Sequence, residues 1–114
     1  MLTKKSKDGV IEVSFKNVNR FNALIAEPVK VELKSFYSTP GTKLVLNLNG
    51  INFIDSTGFG VLLSIMKTAN NNQGSFKISA ISEEVMELFK YFNCIMFSKF
   101  TEIQKMRSKV TRIN

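Results

Sequence analysis

Few side chains in this sequence are equipped for catalysis. There is no His, a single Cys (Cys94) and nine acidic residues. Without imidazole there is no Ser–His–Asp or Cys–His nucleophilic site, no His-containing zinc site and no His-ligated haem. The carboxylates do not compensate. Asp55 stands alone, and Glu83, Glu84 and Glu87 read as the acidic start of a helix rather than a pair set for acid–base work. Gly58-Phe59-Gly60 begins like a dinucleotide fingerprint, but Leu63 occupies the third glycine position, and no Gly-x-x-x-x-Gly-Lys phosphate loop occurs. Cys94, among Phe92, Ile95, Met96 and Phe97, reads as a small core residue. A non-enzymatic protein without metal or cofactor is expected.

What remains is Asp55-Ser56-Thr57-Gly58-Phe59-Gly60-Val61-Leu62-Leu63. Its simplest role is a helix cap, in which Ser56 or Thr57 accepts a bond from a free N–H, worth roughly 1 kcal/mol. The two glycines argue for more than a cap, because each costs about 0.8–1 kcal/mol relative to Ala inside a helix. Glycines on a first turn leave the backbone bare, as a closely approaching surface requires. The motif therefore points to an interface.

The elements that must position this segment follow from turn chemistry and periodicity. Asp8-Gly9 suits a two-residue hairpin turn before the apolar Val10–Phe15 segment. Ile25, Val29, Leu33 and Phe36 recur at helical spacing, which predicts a first helix over 26–37 with Pro28 in its first turn. Lys43–Leu48 reads as a buried strand ended by Asn49-Gly50, and Ile51–Ile54 as a short bridge. Phe59, Leu62, Leu63, Met66 and Ala69 give the apolar stripe of a second helix. Residues 75–81 alternate as a strand, and Ser82 caps a third helix with Glu83 and Glu84 in its first turn. Ile95–Phe97 reads as a last strand and the segment from Thr101 as a final helix. This order predicts one α/β domain over 1–114: a mixed sheet of four to five strands, largely parallel in its later part, with about four helices and a frayed basic end near 105–114.

The formal net charge of +7 resides mostly at the ends. Residues 1–9 carry +2 and residues 99–114 carry +4, so the body between is nearly neutral. No aromatic residue interleaves with the basic ones after Lys105, which weakens a nucleic-acid reading. The first residues lack the apolar run of a signal peptide, and no stretch approaches the ~18 apolar residues of a membrane span. A cytoplasmic protein without a membrane span is expected.

The Asp55–Leu63 motif, preceded by Leu44–Leu48 and the bridge Ile51–Ile54, resembles the signature of STAS domains, specifically bacterial anti-sigma factor antagonists. The likeness is strongest over 44–63. Asn19-Arg20-Phe21-Asn22 looks like the family's loop before the first helix, and Leu88-Phe89 with Ile95–Phe97 resembles its third helix and last strand. The resemblance implies a partner-switching regulator. The serine after the Asp, here Ser56, would be phosphorylated by an anti-sigma factor with serine-kinase activity, and a metal-dependent phosphatase would reverse it. The unphosphorylated form would bind the anti-sigma factor through Asp55, Thr57, Gly58, Phe59, Gly60 and Asn22.

The sequence departs from the family pattern where Asn19 replaces the loop glycine, Asn22 the loop Asp, and Phe59 a commoner Leu. These changes bear on the partner's identity rather than on the fold. The alternative implied by the family is a constitutive interaction subunit of a transporter or signalling complex, indifferent to phosphorylation. No direct nucleic-acid partner is expected.

Overall fold

The computed structural model describes residues 1–93. The expected last strand (Ile95–Phe97), the final helix from Thr101 and the core role of Cys94 lie outside the described residues. Strand β1 (Leu2–Lys7) and β2 (Val10–Phe15) form an antiparallel hairpin, with Lys7 opposite Val10. Asp8 and Gly9 turn it with φ of 55° and 79°. These two positive φ values are what a twisted two-residue hairpin requires.

Strand β3 (Arg20–Phe21) leads into α1 (Ala23–Ser35), followed by a 3₁₀ turn at Phe36–Ser38. Then come β4 (Lys43–Asn47), β5 (Phe53–Ile54), α2 (Ser56–Asn71), β6 (Ser75–Ser79) and α3 (Glu83–Asn93). The main sheet has the order β1-β2-β4-β6, and β2, β4 and β6 run parallel. The short β3 and β5 make a separate parallel pair.

Alternation along the strands builds the core. Val13, Phe15, Leu44, Leu46, Phe76 and Ile78 turn one sheet face inward against Val29 and Leu33 of α1, Phe59, Leu62 and Ile65 of α2, and Val85 and Phe89 of α3. Burying each such side chain contributes about 1.5–3 kcal/mol. At the far end from the α2 N-terminus, Tyr37 donates its hydroxyl proton to the Ser75 carbonyl at 2.7 Å, and the Asn72 amide donates to the Tyr37 carbonyl. Burial pushes the Tyr37 phenol well above its ordinary pKa, so it remains a donor.

Three local expectations are corrected. Helix α1 starts before the predicted Ala26, because extended Asn22 caps it by accepting the Leu24 N–H at 3.1 Å. Pro28 thus lies inside the helix, where it lacks the N–H that would bond the Leu24 carbonyl. Strand β6 stops at Ser79 rather than Ile81, since Ala80 takes a φ of 56° and turns the chain. Finally, the Ile51–Ile54 bridge contains a strand, paired with the unforeseen β3.

Candidate functional site

The parallel strands β2, β4 and β6 all end on one edge, and α1, α2 and α3 all start there. This is where crevices form in open α/β sheets. Asp55 organises the edge. It is extended (φ −96°, ψ 179°) and caps α2: its Oδ1 accepts the Gly58 N–H at 2.8 Å. Its Oδ2 accepts the Ala23 N–H at 3.0 Å. One carboxylate therefore satisfies a free donor on each of two helices and ties α1 to α2.

The cap consequently differs from the expected Ser56 or Thr57. Asp55 follows β5 directly, and its own N–H donates to the Phe21 carbonyl at 3.3 Å, so the chain enters the helix one residue earlier. Ser56 and Thr57 become its first two residues, both exposed. Neither hydroxyl makes a hydrogen bond among the described residues. Asn22 is half-buried, and its side chain is committed to capping α1.

The two glycines separate in role. A Cβ on Gly58 would collide with the Phe21 carbonyl and lie 2.9 Å from Ile54 Cγ1, so its bareness serves an internal contact between α2 and the β3/β5 pair. Gly60 has nothing within 4 Å of the corresponding position and keeps its backbone open. Phe59 is fully buried, with ring centroids 5.4 Å from Phe89 and 5.0 Å from Phe92. Its side chain anchors α2 and is not offered to the surface.

Sequence reasoning missed a feature at the start of α1. A groove of about 610 Å³ opens beside the α1 N-terminus, lined by Phe15, Val18, Arg20, Leu24, Ile25 and Asn49 among others. Leu24 is 87% exposed at its rim. The Arg20 guanidinium stacks 5.0 Å from the centre of the Phe53 ring, bridging β3 and β5. The available signal was Leu24 itself, an apolar residue off the core spacing set by Ile25, Val29 and Leu33. Among the described residues no group of three or more His, Cys, Asp or Glu is gathered as for a metal ion, and no helix is long and apolar enough to cross a membrane.

The family model for the STAS domain matches residues 9–111. The chain belongs to the STAS domain family. Solved STAS-fold structures resemble it at low identity. A protein assigned as an anti-sigma factor antagonist from Thermotoga maritima aligns at 24% identity and TM-score 0.70, covering 83% of this chain and 80% of that one. The Bacillus cell fate determinant SpoIIAA, in its phosphorylated form, aligns at 13% identity and TM-score 0.59, covering 80% and 82%. A sulfate transporter family protein from Wolinella succinogenes aligns at 20% identity and TM-score 0.65, covering 82% and 74%. The STAS fold seen here is thus shared by antagonists and by transporter-family proteins.

Proposed function

We propose that this STAS domain is an anti-sigma factor antagonist that switches partners by phosphorylation of Ser56. The observation that carries this reading is the division of labour between Asp55 and Ser56. Because Asp55 does the capping, the Ser56 hydroxyl is exposed, free of hydrogen bonds among the described residues, and reachable by a kinase. The Bacillus relative solved in a phosphorylated form supports the same chemistry on this fold.

A phosphate on Ser56 adds about −1.5 to −2 charges at the positive end of a helix, which tolerates an anion. The domain keeps its fold. The interface does not survive, since burying a dianion without a matching cation costs several kcal/mol, and about 4 kcal/mol is a thousandfold in affinity. Asp55 beside it adds like-charge repulsion. Ser56, Thr57 and the open backbone at Gly60 form the contact surface, with Asn22, Asp55, Gly58 and Phe59 holding its shape. The partner is an anti-sigma factor with serine-kinase activity, and a metal-dependent phosphatase resets the switch.

Incubation with the cognate kinase and ATP should place one phosphate on Ser56, and Ser56→Ala should remove it. Phosphate uptake unchanged in Ser56→Ala would refute the assignment. The similarity to a transporter-family protein favours a second reading, a constitutive subunit bound through the same turn. A partner retained equally by the wild type and Ser56→Asp would select it.

A further inference from the structure

The two faces of the main sheet differ in charge. Register places Lys7, Val10, Lys43 and Ser75 in one row across the strands, and Lys5, Glu12, Val45 and Lys77 in the next. All eight lie on the face opposite the one packed on α1, α2 and α3, and none of them belongs to the buried core. Lys5, Lys7 and Lys43 are exposed and Lys77 is half-buried. No carboxylate pairs with any of the four among the described residues. Glu12, the one acid in these two rows, accepts a hydrogen bond from the Asn47 amide at 3.3 Å. The helical side is mixed with an excess of acids: Glu27, Glu32, Asp55, Glu83, Glu84 and Glu87 are carried by α1, α3 and the α2 cap, alongside Lys30, Lys34, Lys67 and Lys90.

We propose that this lysine-bearing sheet face docks the protein onto an anionic lipid surface. The chemistry of the face separates that occupant from others. A single-stranded nucleic acid calls for aromatic platforms, and these rows contain none. Base or phosphate recognition by planar forks calls for Arg, and the cations here are all Lys, point charges on flexible stems. A protein partner calls for an apolar centre, and Val10 and Val45, half-buried between lysines, are too small for one. A headgroup layer needs only cations spread over a broad surface, each strengthening attachment about fivefold. The lysine excess of the sheet face and the acid excess of the helical side orient the molecule, so the sheet meets the lipid and the helix layer faces away. Docking is independent of the state of Ser56.

The test is co-sedimentation of the full chain with phosphatidylglycerol–phosphatidylcholine vesicles and with phosphatidylcholine alone. Binding to the anionic vesicles only, lost at high salt, is expected. The Lys5→Gln, Lys7→Gln, Lys43→Gln triple variant should weaken it about a hundredfold, and the corresponding Glu triple further. Lys30→Gln, Lys34→Gln, Lys67→Gln makes the same change in net charge on the helices, and should cost less than about fivefold. Circular dichroism reports whether each variant is folded. Equal losses in the two triples, binding retained by the sheet triple, or no binding to anionic vesicles would overturn the proposal. So would binding to polyuridylate, but not vesicles, that the sheet triple abolishes, since it would assign the face to nucleic acid.

Discussion

Helices α2 and α3 start at the same edge of the sheet, each beside a serine, yet the two serines are placed for opposite purposes. Ser82 is the cap of α3. Its Oγ accepts the Val85 N–H at 3.2 Å and donates to the Ile51 carbonyl at 3.4 Å, while Glu83 and Glu84 occupy the positive end of the helix. Ser56 is one position further in. Asp55 takes over capping, and no acid follows in the first turn of α2. A serine at a cap is consumed by structure, whereas a serine just inside a cap is displayed. The difference turns on a single residue of register, and of these two serines Ser56 is the one whose hydroxyl makes no hydrogen bond among the described residues.

The largest effect is expected at Asp55. Asp55→Ala removes two carboxylate–N–H bonds at once, one to each of two helices, and should cost about 3 kcal/mol in urea unfolding. A loss near 1 kcal/mol would mean that the link to Ala23 contributes nothing. Next in size is Gly58→Ala, where the new methyl meets the Phe21 carbonyl and Ile54. Even after the gain in helix propensity, about 2 kcal/mol of destabilisation is expected in the same assay. Stability equal to the wild type would show that the β3/β5 pair yields freely.

How much of this contrast is legible in the sequence depends on the range of the interaction that decides each feature. The Asp8-Gly9 hairpin and the Ser82 cap with its two glutamates were readable because each is settled within four residues. The apolar stripe of α2 was readable because periodicity reports burial. The cap of α2 was not, since Asp55, Ser56 and Thr57 are all competent caps, and the choice depends on how β5 delivers the chain. The start of α1 was missed for a similar reason: core spacing marks Ile25, but Asn22 sets the boundary. Nor could local pattern reveal β3, a two-residue strand whose partner is remote in sequence. Gly58 carried a correct signal of close approach. What approaches is the protein's own Phe21 carbonyl.

Ser82→Ala should cost about 1 kcal/mol, a single cap bond, without altering partner affinity. An affinity loss there would bring the α3 turn into the interface and undo the distinction between the two serines.

Gly60→Ala is the mildest change and the most discriminating. The methyl enters open space and removes a glycine from a helix, so stability should rise by up to about 0.8 kcal/mol, seen as a higher melting temperature. If the bare backbone at Gly60 serves a closely approaching partner, the same variant should bind more weakly while folding better. These opposite signs separate the two glycines of the motif, because Gly58→Ala should lose both stability and binding. A Gly60→Ala protein that gains stability and keeps full affinity would confine the interface to Ser56 and Thr57.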